Sequence, residues 1–153
     1  GFTPSESKRL LNPSDFISNF QVESGDFLIT RCNTKELVGR VCIVPENHPN
    51  LMLCDKTLKL VFKLGQLPEF YEAILKCRNL RIQIQGRATG TGGAMKNISQ
   101  KDIRSLVVPN YSTKEQDRFV QKIRQFHSSL AVSNECASNL CMVLKAQLNF
   151  FLN

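Results

Sequence analysis

A glycine- and threonine-rich segment, residues 86–93, has the residue types of a phosphate-binding loop. A P-loop ends in Gly-Lys-Ser/Thr because its hydroxyl group holds Mg²⁺, whereas Met95-Lys96-Asn97 stands in that place here. A dinucleotide-binding loop needs a third glycine three residues after the second, and Met95 occupies that position. The segment therefore does not predict a nucleotide-binding site.

The same segment is better suited to contact DNA. Its glycines allow close approach of the backbone, and Thr89 and Thr91 can donate to phosphates or meet a thymine methyl group. Arg87 can place its two parallel donors on guanine O6 and N7, and Lys96 suits a phosphate contact. The alternative is a flexible connection whose polarity is incidental.

A second polar cluster lies at the end of a predicted β-hairpin. It contains Arg31 and Asn33, whose side chains can make two hydrogen bonds to one base, and Lys35, which suits phosphate. The predicted DNA-contacting residues are therefore Arg31, Asn33, Thr34, Lys35, Arg87, Thr89, Thr91 and Lys96.

The charge distribution agrees with a polyanionic partner. The formal net charge is +7 over 153 residues. The segment from Arg78 to Arg104 contains six basic residues and one acidic residue, Asp102. Such a local excess attracts phosphates. The alternative is a solvated face whose lysines and arginines only maintain solubility.

No residue pattern predicts catalysis, a cofactor or a metal site. The hydrolase motif G-x-S-x-G is absent, and His48 and His127 lie far apart in sequence. The sequence also lacks a nuclease-like set of acids with lysine and the Asn/Asp-Pro-Pro-aromatic tetrapeptide of amino-methyltransferases. The cysteines form no C-x-x-C pair, which argues against a disulfide framework and favours a reducing, cytoplasmic setting. The six cysteines are Cys32, Cys42, Cys54, Cys77, Cys136 and Cys141.

The first part of the chain has the pattern of short strands. We expect a short strand near Phe20 to Val22, a hairpin of Phe27 to Cys32 with Val38 to Val44, and two strands within Leu51 to Phe62. In the last of these, Leu58, Leu60 and Phe62 alternate with Lys59, Val61 and Lys63. No apolar run reaches eighteen residues, so no membrane span is expected.

The middle of the chain changes to a helical period. Pro68 suits the first position of a helix, and Ser99 with Asp102 predicts a capped short helix. The segment Leu80 to Gln85 is ambiguous, because its alternation favours a strand and its Arg and Gln residues favour a helix. Leu106 to Val108 is predicted to be a final strand. These elements predict an α+β domain with a small mixed sheet.

The last quarter of the chain predicts one long helix. Ser112 and Glu115 form the S-x-x-E pattern of a capping box, and no glycine or proline follows Pro109. At 1.5 Å per residue the helix is about 60 Å long, so we expect it to project from the domain. The alternative is a helical hairpin that turns around Ser133-Asn134.

An apolar seam with heptad spacing follows this helix, which is typical of a coiled coil. Ser133 and Gln147 are its polar positions. The predicted helix–helix interface consists of Phe119, Ile123, Phe126, Leu130, Ala137, Leu140, Leu144 and Phe151.

The order of these motifs resembles the specificity subunits of type I restriction–modification systems, from about Asn12 to the end. The first similar motif is Gly25-Asp26 followed by a hydrophobic run to Arg31, with Leu37 to Val44 as the second hairpin strand. The later motifs are Phe70-Tyr71 with Leu75, the Ala88-Thr-Gly90-Thr loop, Asn97-Ile98-Ser99, Ile103-x-x-Leu106-x-Val108-Pro109, and Glu115-Gln116 before the long helix.

The resemblance implies a target recognition domain that reads half of a split double-stranded DNA site without catalysis. It further implies a spacer helix that pairs antiparallel with a counterpart and docks methyltransferase subunits, through which the restriction subunit is reached. It also implies that Leu80 to Gln85 is helical. Base-reading residues differ among members, so none transfers by motif.

The chain departs from a full subunit in carrying one recognition domain and one spacer helix. It opens on Gly1 without a methionine, so we expect a piece of a longer protein. We expect residues 1–110 to form the recognition domain and residues 111–153 the spacer helix, through which two copies can pair as a homodimer. The alternative function is a protein–protein assembly module with a coiled-coil arm and no DNA binding.

Overall fold

The structure is a computed structural model that describes residues 2–90 and 95–151, with side-chain surroundings up to residue 135. Three short 3-10 helices precede the sheets: Pro4–Glu6, Pro13–Asp15 and Ser18–Phe20. The strands are β1 (Gln21–Val22), β2 (Phe27–Thr30), β3 (Cys32–Asn33), β4 (Val41–Ile43), β5 (His48–Met52), β6 (Thr57–Leu60) and β7 (Lys96–Asn97). The helices are α1 (Pro68–Lys76), α2 (Arg78–Arg87), α3 (Gln100–Arg104) and α4 (Thr113–Phe151).

The predicted α+β class is confirmed, although the described strands form three small antiparallel sheets instead of one mixed sheet. The central sheet has the order β4-β2-β6. The predicted hairpin is present in it, since Phe27 of β2 pairs with Ile43 of β4. Both strands are shorter than predicted. Cys32 belongs to β3, which pairs with β7, and the chain turns at Gly39 before β4 begins.

The two faces of β2 belong to two apolar clusters, because successive side chains of a strand point to opposite faces. Phe27 and Ile29 pack with Phe70 and Ile74 of α1 in the main core. Leu28 faces the other way and packs with Val22 and Val44. The strand predicted around Leu58 and Leu60 is present as β6 but ends at Leu60, and both leucines border the main core as the alternation predicts.

Residues Leu80 to Gln85 are helical, so the strand reading of their alternation is wrong and the helix implied by the resemblance is confirmed. Leu80 and Ile84 are four residues apart, so they share one helical face, and both are buried. Ile82 points away from the core and is 57% exposed. A helix therefore buries two of the three apolar residues that a strand would place on one face.

The predicted strand at Leu106 to Val108 is wrong, because no strand forms there. The side chain of Gln83 on α2 instead pairs with the backbone of Val107. Its Oε1 accepts from the Val107 amide at 3.0 Å, and its Nε2 donates to the Val107 carbonyl at 3.1 Å. A side-chain amide thus supplies the two bonds that a neighbouring strand would make, while Leu106 and Val108 pack against the core.

Both predicted capping boxes are confirmed. In α3 the Ser99 hydroxyl accepts from the Asp102 amide at 3.1 Å, and the Asp102 carboxylate returns to the Ser99 amide at 3.3 Å. At α4 the Glu115 carboxylate accepts from the Ser112 amide at 2.8 Å and from its hydroxyl at 2.6 Å. These hydrogen bonds from serine hold the pKa of both carboxyl groups below their usual values.

Residues Thr113–Phe151 form a single helix, as predicted, so the hairpin around Ser133-Asn134 is not formed. Its 39 residues correspond to about 58 Å. Among the described residues, no helix combines the length and apolar character needed to cross a membrane.

The α+β part of the chain that precedes α4 is called the head domain. The first turn of α4 is anchored to it by Gln116, which is only 1% exposed. Its Oε1 accepts from the Leu67 amide at 3.0 Å, just before α1. Its Nε2 donates to Gln66 Oε1 at 3.0 Å and to the Tyr111 carbonyl at 2.9 Å. The side chain therefore joins the start of α1, the segment before α4 and α4 itself.

Candidate nucleic-acid interface

The pairing of β3 with β7 brings the two predicted DNA-contacting clusters together. Asn33 lies opposite Lys96, and Cys32 lies opposite Asn97. The Ile98 amide also donates to the Arg31 carbonyl at 3.0 Å, which extends the contact. The end of the hairpin and the glycine segment are far apart in sequence, yet they form one polar edge of the domain.

The chain on either side of residues 91–94 pairs at Thr89 and Asn97 as a short antiparallel stem. The amide and carbonyl groups of Thr89 and Asn97 exchange hydrogen bonds of 2.8 and 2.7 Å. At Gly90 the chain passes so close to the Met95 carbonyl that a Cβ atom there would overlap it. Lys96 Nζ donates to the Gly90 carbonyl at 3.1 Å and closes the stem. Thr91 lies outside the described residues.

A third segment, the turn before β6, reaches the same edge. The amides of Arg31 and Cys32 donate to the Lys56 carbonyl at 2.7 and 3.3 Å. The turn arrives there because β2 pairs with β6, with Thr30 opposite Thr57. Lys56 is exposed, so it adds a cation that sequence reasoning missed. The signal for it was the polar turn between two predicted strands.

The predicted residues at the hairpin end have different surroundings. Arg31 and Lys35 are exposed, whereas Asn33 and Thr34 are half-buried. Asn33 Oδ1 accepts from the Thr34 amide at 2.8 Å, which shapes the backbone after β3. The Lys35 carbonyl accepts from Gln85 Nε2 at 3.1 Å, so its backbone is tied to α2 while its side chain faces solvent.

Arg87 is engaged within the domain. Its guanidinium donates to the hydroxyl and carbonyl of Ser105 at 3.3 and 3.4 Å and to the Gln83 carbonyl at 3.3 Å. The side chain therefore ties the end of α2 to the end of α3. Two-point binding of Arg87 to a guanine would require these bonds to break.

Arg81 is a second basic residue with an internal role. Its Nη2 donates to the carbonyls of Glu36 and Val38 at 3.1 and 2.8 Å. Burial, together with the nearby charge of Arg40, lowers the pKa of this guanidinium. The basic excess from Arg78 to Arg104 is thus smaller on the surface than the sequence indicates.

The residues of the predicted helix–helix seam differ in their surroundings: the first packs against the head domain, and two later ones are exposed. Phe119 packs edge-on against Phe70 at a centroid distance of 5.4 Å, so the first seam residue has a partner within the chain. Ile123 is half-buried, whereas Phe126 and Leu130 are 67% and 49% exposed. Ala137, Leu140, Leu144 and Phe151 continue the helix, but their side chains lie outside the described residues.

Among the described residues, no group of three or more His, Cys, Asp or Glu side chains is placed to hold a metal ion. The four cysteines with described side chains are free thiols: Cys32, Cys42, Cys54 and Cys77. Burial raises the pKa of the Cys42 thiol, which keeps it protonated.

Two curated proteins of Escherichia coli are similar to this chain. The type I restriction enzyme EcoEI specificity subunit is 26% identical over 145 residues, which are 94% of this chain. The EcoKI specificity subunit is 32% identical over 111 residues, or 71% of this chain. The chain spans 24% of the length of each relative. No protein-family profile matches it. By sequence, the chain is therefore similar to two type I restriction enzyme specificity subunits over about a quarter of their length.

Proposed function

We propose that this chain is a target recognition domain that reads one half of a split double-stranded DNA site. In this role it is not catalytic and directs methyltransferase subunits, and through them a restriction subunit, to the site. The complex would work in the cytoplasm of a prokaryotic cell. The observation that carries the proposal is the β3–β7 pairing, which joins the hairpin end to the stem of the glycine segment.

The composition of this edge supports contact with DNA. Arg31, Lys35, Lys56 and Lys96 come from three chain segments that share backbone hydrogen bonds. Lysines suit phosphates, while Arg31 and Asn33 have the paired donors or acceptors that distinguish base edges. The names of the two relatives, both specificity subunits, favour a DNA-reading role over the assembly module.

The first prediction is that the chain enriches one sequence class from a random duplex pool, with methyltransferase subunits present. Because phosphate contacts release counterions, the logarithm of affinity should fall linearly with the logarithm of salt concentration, by about 0.9 per neutralised phosphate. Lys35→Ala should weaken binding to all duplexes and reduce the slope by about one. Arg31→Ala should relax preference at one or two base pairs, by about 1–3 kcal/mol.

Lys122→Ala is the matched control, because it removes one exposed lysine charge from α4 instead of the proposed interface. Lys35 is a cleaner probe than Lys96, whose ammonium also closes the glycine segment. Equal effects of Lys35→Ala and Lys122→Ala would contradict the assignment. A chain that retains no duplex at low salt, with methyltransferase subunits added, would support the assembly module instead.

We further propose that two copies pair their α4 helices antiparallel. The exposed Phe126 and Leu130 begin an apolar stripe that no residue of the head covers within the described region, and such stripes favour association. Small residues at Ser133 and Ala137 would allow close approach of the helices. Two like copies around a two-fold axis would make the DNA site a palindrome with a fixed spacer.

The second prediction is therefore that the chain dimerises at a concentration on the order of tens of micromolar. The double variant Leu130→Glu with Leu144→Glu should be a monomer whose head domain remains folded. Sedimentation velocity measures the association, and circular dichroism checks the fold. Ser128→Glu is the control, since this exposed position lies opposite the seam. A wild-type chain that stays monomeric would exclude the homodimer.

A further inference from the structure

We propose that Arg81 is a positioning residue for DNA specificity: it holds the recognition loop, residues 33–38, in the place from which Asn33 and Lys35 meet DNA beside Arg31. This inference rests on the proposed DNA-reading function and adds a residue that does not itself contact DNA. Arg81 lies on α2, whereas the loop follows β3, so the two meet only in the folded domain.

Two side chains of α2 hold the backbone of the recognition loop. Arg81 Nη2 donates to the Glu36 carbonyl at 3.1 Å and to the Val38 carbonyl at 2.8 Å. Gln85 Nε2 donates to the Lys35 carbonyl at 3.1 Å. Residues four apart on a helix share a face, so Arg81 and Gln85 act on the loop from the same side. Three of the six loop carbonyls are thereby fixed to α2.

The recognition loop is also closed on itself. The Thr34 carbonyl accepts from the Leu37 and Val38 amides at 3.1 and 2.8 Å, and Asn33 Oδ1 accepts from the Thr34 amide. A loop held by its own bonds moves as a unit. The contacts to α2 therefore help to set where this unit stands relative to β3. They thereby affect the side chain of Lys35 and that of Asn33, which is bonded to the Thr34 amide.

Gly39 allows α2 to come close enough for this contact. It has a φ of +67°, and Ile84 of α2 fills the space that a Cβ atom would take. Arg81 Nη1 lies 3.5 Å from that same point and is buried, with no hydrogen-bond partner among the described residues. The Nη1 end of the guanidinium is thus enclosed between α2 and the loop, and Nη2 is bonded to the loop, so we infer that Arg81 acts on DNA through the loop.

An arginine is needed because its planar guanidinium presents several donors in a fixed arrangement, while a lysine ammonium is a point charge on a flexible stem. Arg81→Lys keeps the charge and loses this arrangement. Arg81→Gln loses both. Comparing the two variants separates the effect of the positive charge from the effect of the guanidinium geometry that holds the loop.

The test compares Arg81→Gln and Arg81→Lys with Arg78→Gln, which removes the same charge from an exposed residue at the start of α2. Affinity is measured for the duplex that the wild-type chain enriches and for random duplexes. Both Arg81 variants should lower the enriched-to-random affinity ratio by about tenfold, the size of one misplaced base contact. Arg78→Gln should weaken both duplexes alike and leave the ratio unchanged.

Amide hydrogen exchange of the free protein provides a readout independent of DNA. Both Arg81 variants should speed exchange of the Leu37 and Val38 amides, while the amides of β2 keep their wild-type rates. A variant that is merely less stable would speed exchange throughout the core and leave the affinity ratio of its folded fraction unchanged. That result would overturn the proposal.

Other outcomes are equally decisive. If Arg81→Lys restores the wild-type ratio, charge and not position is the property that matters, and the proposal is wrong. If the wild-type chain binds no duplex, the proposed function fails first. The exchange rates of Leu37 and Val38 then decide by themselves whether Arg81 holds the loop.

Discussion

Gln116→Leu is expected to lower the free energy of unfolding by about 2–4 kcal/mol, although it exchanges side chains of similar size. The three hydrogen bonds of Gln116 would be lost. The Leu67 amide and the Tyr111 carbonyl would then lack these partners in a half-buried contact between α1 and α4. Leaving such groups unsatisfied costs more than the bonds contribute, which makes this one of the two largest effects that we expect.

Urea denaturation of the Gln116→Leu variant measures this loss, with Gln121→Leu as the matched control. Gln121 lies on the same helix, is exposed, and bonds only the Asp117 carboxylate within the described residues. The control should change stability by no more than about 0.5 kcal/mol. A loss below about 1 kcal/mol for Gln116→Leu would show that Gln116 is not what fastens α4 to the head.

Gly39→Ala is expected to have an effect of similar size, about 2–4 kcal/mol, from two causes that add. The φ of +67° is strained for any residue with a Cβ atom. The new methyl group would also overlap the buried side chain of Ile84. Since Ile84 is fully enclosed in the main core, it has no open space into which to move.

Gly25→Ala separates these two causes. Gly25 has a φ of +84°, and nothing lies within 4 Å of the position of its Cβ atom. This variant should therefore report backbone strain alone, about 1–2 kcal/mol. If both variants lose the same free energy of unfolding in urea denaturation, the close packing of Gly39 on α2 contributes nothing to stability. That result would also weaken the argument that Gly39 allows α2 to approach the loop and place Arg81.

Local signals in the sequence were sufficient for the helix termini and the simple hairpin. The capping boxes at Ser99 and Ser112 need only neighbouring residues, because a hydroxyl and a carboxylate three positions apart bond each other's amides. The single long helix follows from the absence of glycine and proline after Pro109. The pairing of β2 with β4 follows from two β-rich runs that lie close together in the sequence.

Local signals failed where a distant residue made the decision. Leu80 to Gln85 alternates like a strand, but the core accepts Leu80 and Ile84 from one face of a helix. Leu106 to Val108 has strand residues, but Gln83 takes the backbone bonds of Val107. In the first place the core made the decision, and in the second a side chain of α2 did. Neither is visible in a window of sequence around the segment.

For the candidate interface, too, some features follow from the sequence and others only from the tertiary structure. The sequence by itself determined its residue types: two polar clusters with the arginine, asparagine and lysine chemistry that suits DNA. Only the tertiary structure decided that β3 pairs with β7, that Lys56 joins the same edge, and that the side chains of Arg81 and Arg87 are engaged inside the domain. The physical reason is that a side chain's charge is a local property, whereas its partner is whichever donor or acceptor the long-range packing places beside it.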